Sequence, residues 1–559
     1  MGYYNRTKNY LGAQIKLNKE ALFNWLKEHQ PDHPLVEELE NTSFSYSKEA
    51  EISLYSINNE NIQALYDFVA EQPDANSNTR KVKAYQNLLK TYTTKCPKNL
   101  ENLATVLMQF TKEKTFRCSY VVEQYGIPFL VRATSIEYMP ANVSDNTPSE
   151  TTITFSYVEK NHKRTKSAIF HIDDLKDEKT VEQLLNEEGF RAASEEDYNN
   201  YLVRYKHYCE LVQEVGKQFV SKINFKTYTT SKSLWKSTRV TVSHGSKLVI
   251  DTEDDFKLAH FTDSVSYFNL GSSDRDTQQY PSYNSCLLDV FSLSLKENVE
   301  MYIDFLEPYK YNDTIKDQLV LPEDHKNCLD ILINYDPEDF SDVIKDKSAG
   351  IVILASGDSG LGKSLSAETY AELIHKPLYQ VQSSELGIDT NSIEKNLQTV
   401  LNRASKWHAI LLLDEADTFI RRRGNDLQQN AIVGVFLRVL EYYKGVLFMT
   451  TNRFVDVEGK IFVDDAILSR ATAHIRYDYP NEDAQLSILM VQCNQLEVKI
   501  DKADAKSIVD FFKQYQISGR DIRNFVKLSK MFIRKDNLEK LTLETIKKVL
   551  PFHATLNKQ

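Results

Sequence analysis

Eight consecutive residues restrict this chain more than any others: Gly357, Asp358, Ser359, Gly360, Leu361, Gly362, Lys363 and Ser364. Ahead of them runs Ile351-Val-Ile-Leu354, short and wholly apolar, and after them Leu365-Ser-Ala-Glu-Thr-Tyr370 opens a helical pattern. A buried strand, a glycine-rich bend and a helix start form the setting in which a loop wraps a polyphosphate. The glycines let the backbone curl until successive N–H groups point inward, and the helix turns its positive dipole end on the same anion. Lys363 would reach the terminal phosphates and the hydroxyl of Ser364 would bind magnesium, so the expected binding set runs from Gly357 through Leu365.

At 559 residues the chain has room for roughly three or four domain-sized units. A hydrophobic share of 41% is enough for more than one core. The net charge of −11 argues against a main role in coating nucleic acid or an anionic membrane. The cysteines are far apart in sequence, with no C-x-x-C and no zinc spacing, which reads as reduced thiols. The first residues lack the apolar core of a signal peptide, and no apolar run approaches the roughly 20 residues that span a bilayer. A soluble, cytoplasmic protein without a membrane partner is expected.

Residues 1–115 read as mainly helical, with apolar stripes at Leu22, Phe23, Trp25 and Leu26, at Ile62, Leu65 and Phe68, and at Leu103, Val106, Leu107 and Phe110. From about 116 the period changes to alternation. Phe129, Val131 and Ala133 follow a turn at Tyr125-Gly126, and Ile153, Phe155 and Tyr157 are expected opposite Ala168, Phe170 and Ile172. A long helix should start after Ser194, which with Asp197 makes a loose capping signal. Val240-Thr-Val242 and Leu248-Val-Ile250 read as a hairpin around His244-Gly245, and Gly271–Gln279 as a flexible loop. Nothing in residues 1–315 spells out chemistry. The region is expected to be a mixed α+β recognition or assembly module, with a break near 115 if it holds two subdomains.

Beyond Leu319 strands and helices alternate, which predicts a parallel sheet covered on both faces. The expected strands are Gly350–Ala355, Leu378–Gln382, Ala409–Leu413, Val446–Thr450 and Ala473–Tyr477, with a helix starting near Asn391, which sits with Glu394 at capping-box spacing. In Ile410-Leu-Leu-Leu-Asp-Glu415 four apolar residues fit a buried strand, and two carboxylates emerge at its C-terminal edge, where open sheets bind ligands. Asp414 is placed to hold magnesium and Glu415 to orient and deprotonate an attacking water. Such a pair can also merely cap a neighbouring helix, but the phosphate loop upstream favours the chemical role.

Gly357–Ser364, Leu411-Leu-Leu-Asp-Glu-Ala-Asp417, Met449-Thr-Thr-Asn452 and Asp465-Ala-Ile-Leu-Ser-Arg470 resemble the Walker A, Walker B, sensor 1 and arginine-finger elements of the AAA ATPase family. Asn430–Tyr443 resembles a bacterial and fungal branch of it. The resemblance covers about 320–550. It implies a P-loop α/β fold with a five-stranded parallel sheet in the order 5-1-4-3-2, occupying 316–480, and a small helical lid over 481–559. It further implies ATP and Mg2+ as ligands, Asn452 beside the attacking water, and Arg470 acting in trans on a neighbouring subunit of a homo-oligomer, a hexamer in the family. Arg520 in Ser518-Gly-Arg-Asp-Ile-Arg523 matches sensor 2, with Arg523 as its competitor, and Val343 and Ile344 match the adenine seat.

Two departures stand out. The segment Ser384-Glu-Leu-Gly-Ile-Asp-Thr390 has no aromatic where unfoldases of the family carry a gripping pore loop. Asp358 and Ser359 stand where prolines are common, and a carboxylate there must point outward to avoid repelling ATP. The run Arg421-Arg-Arg-Gly424 reads as solvated surface ahead of a pore lining. The favoured expectation is an ATP-driven ring that remodels a protein client engaged by the first half. The alternative is a nucleotide-gated assembly switch, and a nucleic-acid motor is disfavoured by the acidic balance.

Overall fold

The computed structural model describes residues 14–33, 35–36, 49–53, 59–72, 79–83, 86, 95–142, 144, 146–160, 162–176, 178–229, 238–252, 261–268, 275–333, 350–387, 389–424, 426–455 and 461–553. The chain divides into two compact units, one of residues 1–211, 253–288 and 302–304, the other of 212–252, 289–301 and 305–559.

In the first unit, helices Lys19–His29 and Asn59–Glu71 bury Leu22, Leu26, Ile62, Leu65 and Phe68 in a small core of their own. Asn18 caps the first helix, its Oδ1 accepting the Ala21 N–H at 3.1 Å. This stretch is not helix alone, because Gln14–Asn18 and Glu49–Ser53 pair antiparallel. Gln14-Ile-Lys-Leu-Asn18 and Glu49-Ala-Glu-Ile-Ser53 each alternate polar and apolar residues, a signal the sequence reading passed over.

A separate core lies between the helix Leu100–Lys114 and an antiparallel sheet ordered His162–Phe170, Glu150–Glu159, Ile127–Met139, Ser119–Gln124, Phe190–Ala192. Tyr125 (φ +56°) and Gly126 (φ +79°) form the connection between the two strands Ser119–Gln124 and Ile127–Met139, both left-handed as the twist of a tight hairpin requires. Ile153 faces Ala168 across the next hairpin. The expected loop at 271–279 is corrected from Arg275 onward: Arg275–Pro281 is a strand paired with Thr262–Phe268. Its polarity misled, because a strand needs a partner for its backbone and not an apolar sequence.

The second unit begins with strands β1 (Gln218–Ser221), β2 (Lys247–Ile250), β3 (Leu287–Ser292), β4 (Glu297–Tyr302) and β5 (Leu306–Pro308), in the order β4-β3-β2-β1-β5. The hairpin expected between Val240–Val242 and Leu248–Ile250 does not form. Arg239–Val242 pairs with Phe225–Tyr228, while β2 pairs with β1 and β3. The turn between them is held elsewhere: the N–H of His244 donates to Asn224 Oδ1 at 2.8 Å and that of Gly245 to the Ser221 carbonyl at 2.8 Å.

The parallel sheet follows, made of β6 (Ile351–Ser356), β7 (Leu378–Gln382), β8 (Ile410–Asp414), β9 (Val446–Thr451) and β10 (Ala473–Arg476), in the order β7-β8-β9-β6-β10. Alternate residues of β6 feed two cores, Val352 and Leu354 on one face and Ile351, Ile353 and Ala355 on the other. Burial on both faces explains its unbroken apolar run. Helices α1 (Lys363–Leu373), α2 (Thr390–Lys406), α3 (Asp417–Ile420), α4 (Leu427–Leu440) and α5 (Asp465–Arg470) connect these strands. The cap of α2 is Asp389, whose Oδ1 accepts from Asn391 and Ser392, rather than Asn391 itself. A final group, α6 (Glu482–Gln495), α7 (Lys502–Phe512), α8 (Gly519–Lys535) and α9 (Leu543–Val549), closes on its own core of Leu489, Ile508, Phe512, Ile522 and Phe525. No helix among the described residues is long and apolar enough to cross a membrane.

Two sheets of the second unit share one core. Val249 of β2 and Phe291 of β3 share one core with Tyr379 of β7 and with Trp407. The Trp407 ring lies 5.1 Å from Phe291 and 5.3 Å from Tyr379, and its Nε1–H donates to Asp251 Oδ1 at 3.0 Å. Arg403 places its guanidinium 4.3 Å from the Phe291 ring centre and pairs with Asp251 at 3.3 Å. Trp407→Ala should therefore destabilise the second unit by about 3–5 kcal/mol, measured as a lowered denaturant midpoint; an unchanged midpoint would show that this seam contributes nothing.

Candidate functional site

Between β6 and α1 the chain is bent by necessity. Gly357 has φ +141°, and a Cβ there would stand 2.2 Å from the Tyr477 carbonyl oxygen. At Gly360 (φ +84°) a Cβ would meet Arg520 Cβ and Ser518 Oγ, each at 2.8 Å, so the lid rests directly on the loop. The loop delivers Lys363 into the interior, where only 7% of it is exposed. Its ammonium donates to the carbonyls of Gly357 and Asp358, each at 2.7 Å, and to Asn452 Oδ1 at 2.8 Å. Burial pulls the Lys363 pKa below the ordinary lysine value, against the attraction of Asp414 and Asp358, while Arg520 adds to the depression.

Asp414 ends β8 and is oriented on both carboxylate oxygens. Oδ1 accepts from Ser364 Oγ at 3.0 Å and from Thr450 Oγ1 at 2.5 Å, and Oδ2 accepts from Gln380 Nε2 at 3.0 Å. Glu415 follows in a left-handed backbone (φ +54°), uncommon for a residue with a side chain. Two hydroxyls secure it: Thr450 Oγ1 accepts its N–H at 3.0 Å, and Ser383 Oγ donates to its carbonyl. The Glu415 side chain is left exposed toward the cavity.

These groups line one cavity of about 820 Å³. Ser359, Gly360, Leu361, Gly362, Lys363, Ser364 and Leu365 border it, together with Asp414, Glu415, Asn452, Arg520 and Arg523. Both candidate lid arginines thus reach it, and Arg520 also donates to Ser359 Oγ at 2.8 Å. Gly357 and Asp358 do not border the cavity themselves; they enter through their carbonyls on Lys363, and the exposed Asp358 side chain interacts with Tyr479. Arg470 is exposed and does not line this cavity; its guanidinium reaches the Ala466 carbonyl at 3.3 Å. Val343 and Ile344 lie outside the described residues. Glu368 borders the cavity with a pKa raised by burial, which Lys247 opposes.

Residues 353–479 match the family described as ATPase family associated with various cellular activities (AAA). The segment is an AAA-family domain. No curated protein matches the chain. The AAA match takes in the phosphate loop, β8 with its two carboxylates, Asn452 and α5, and ends before the lid.

The cavity suits a nucleotide with a bound cation. Its size falls in the range of small-ligand pockets. The N-terminus of α1, with Gly362 as its cap residue, carries no side-chain cap, so an anion can take the first-turn N–H groups. Ser364 Oγ and Asp414 Oδ1, 3.0 Å apart, form a small oxygen set that could hold a hard cation were phosphates to complete its shell.

Three contributions escaped the sequence reading. Thr450, taken there only as context for Asn452, joins both acidic residues. Gln380 orients Asp414 and, as one of two glutamines in Leu378-Tyr-Gln-Val-Gln382, gave no distinguishing signal in the sequence. One wall consists of Leu319, Val320, Leu321, Pro322 and His325, apolar for the most part and suited to a base, with Tyr479, Ile488 and Val491 also lining the cavity. Thr450→Val keeps the shape and removes both hydrogen bonds. Turnover of ATP should fall about tenfold or more, with nucleotide affinity within a few-fold, as read by steady-state hydrolysis and fluorescent-nucleotide titration. Unchanged turnover would remove Thr450 from the site.

Proposed function

We propose that this protein hydrolyses ATP with Mg2+ at the cavity above β8 and works as a ring of identical subunits. The carrying observation is the buried Lys363 ammonium, held only by neutral oxygens, beside Asp414 and Ser364 in a nucleotide-sized cavity. Lys363, with the loop N–H groups, would bind the phosphates; Ser364 and Asp414 would hold the cation, which supplies charge neutralisation at the phosphates. Glu415 accepts the proton of the attacking water, and Asn452 orients that water. Arg520 and Arg523 would reach the nucleotide from the lid. Arg470 is exposed and away from its own chain's cavity, and this supports a role on the ATP of a neighbouring subunit. A hexamer follows from the family's habit. In the fuller reading, the first unit engages a protein client that the ring remodels.

A specific observation favours the nucleotide-gated switch as a second reading. In the segment after β7, Leu386 is 1% exposed and packed in the core, and the described residues it presents to solvent include Ser384, Glu385 and Asp389. Those described polar side chains offer no apolar grip on an extended polypeptide.

Glu415→Gln should keep ATP bound and cut turnover by about 10²–10⁴. Arg470→Ala should retain nucleotide yet lose hydrolysis, and wild-type turnover per chain should drop on dilution as subunits separate. Turnover independent of concentration, together with a fully active Arg470→Ala variant, would overturn the shared site.

A further inference from the structure

The basic run after α3 is not simply solvated. Arg423 makes a two-pronged pair with Asp464, Nε donating to Oδ2 at 2.9 Å and Nη2 to Oδ1 at 3.2 Å, and its own N–H donates to Oδ2 at 3.2 Å. Asp464 is 3% exposed and caps α5, its Oδ1 accepting the Ala466 N–H at 3.0 Å. Burial would push the Asp464 carboxyl up, but Arg423 and the Ala466 N–H together hold it below the usual range.

The backbone repeats the connection. The Asp464 N–H donates to the Ile420 carbonyl at 2.8 Å, and the Arg422 N–H to the Phe462 carbonyl at 2.7 Å. Arg421 and Val463 form an antiparallel bridge. Ile420, Val463 and Ile467 are fully buried in one core. Residues 420–423, which end the segment begun by Asp414 and Glu415, thus carry the start of the helix that ends in Arg470. That helix is only Asp465–Arg470, so its aim depends on how its first residue is fixed.

We infer that Arg423 and Asp464 are positioning residues for Arg470, fastening its short helix to the end of the segment that bears the two acidic residues. The inference rests on the reading of Arg470 as a donor to a neighbouring subunit. A guanidinium must arrive within a fraction of an ångström to stabilise charge developing on a phosphoryl group, and a 1 Å misplacement costs about a hundredfold in rate. Two backbone hydrogen bonds across an isolated bridge and a bidentate ion pair supply that stiffness from within the donor subunit.

Two variants test it. Arg423→Ala deletes the pair, and Asp464→Asn removes the charge while keeping a helix cap, since Asn caps as well as Asp. Each should lower turnover on the order of ten- to a hundredfold and leave nucleotide affinity within about threefold. Each is then mixed with excess Glu415→Gln chains, whose arms carrying Arg470 are intact. Turnover per active pocket should recover to that of wild type mixed in the same proportion, as Arg470→Ala also should. Failure to recover where Arg470→Ala does recover places the defect in the variant's own pocket and overturns the inference; so does wild-type turnover of both variants alone. If Arg470→Ala itself keeps full turnover, or is not rescued, the donor reading fails and this inference falls with it.

Discussion

A buried cation held by neutral oxygens is the constraint around which the site is built. Lys363 has lost nearly all its water, and two carbonyls and an amide oxygen replace it without offsetting its charge. Such an arrangement is costly unless an anion comes near. Asp414 and Asp358 lend attraction from a distance, yet burial still prevails over them. A polyphosphate would complete what the protein leaves open. The bend at Gly357, the lid pressed on Gly360 and the uncapped start of α1 all serve to keep that position available.

The parallel sheet explains why so few residues suffice. Its strands end on one side, so β7, β8 and β9 bring Gln380, Ser383, Asp414, Glu415 and Thr450 together although they are distant in sequence. Thr450 serves both acids with one hydroxyl, donating to Asp414 and accepting from the Glu415 N–H. Ser383 steadies the Glu415 carbonyl in its left-handed backbone. Rigidity at these strand ends is what lets Glu415 keep an exposed side chain and a defined direction.

The loop from Gly357 to Ser364 and the pair Asp414–Glu415 were legible because phosphate chemistry demands particular residue types at fixed spacing. The inner strands β6, β8 and β9 were legible too, since burial on both faces writes them as nearly continuous apolar runs, while the edge strands β7 and β10 were legible from the alternation of strands with helices. Thr450 and Gln380 were not, because their roles arise only when neighbouring strands meet. The cap of α2 was misplaced by two residues because Asp389 and Asn391 are both capping types. The seam at Trp407 was hidden for a different reason: Val249, Phe291 and Trp407 are each an ordinary apolar residue until folding puts them in one core. A long polar strand such as Arg275–Pro281 likewise gives no period to read.

The division into units carries a consequence for how the protein can be taken apart. The backbone passes from one unit to the other at 211–212, 252–253, 288–289, 301–302 and 304–305. Recombination that replaces the first unit must respect every junction at once, because an exchange at 304–305 alone would also remove Val249 of β2 and Phe291 of β3 from the core they share with Trp407. The two units are thus written in interleaved segments of one chain.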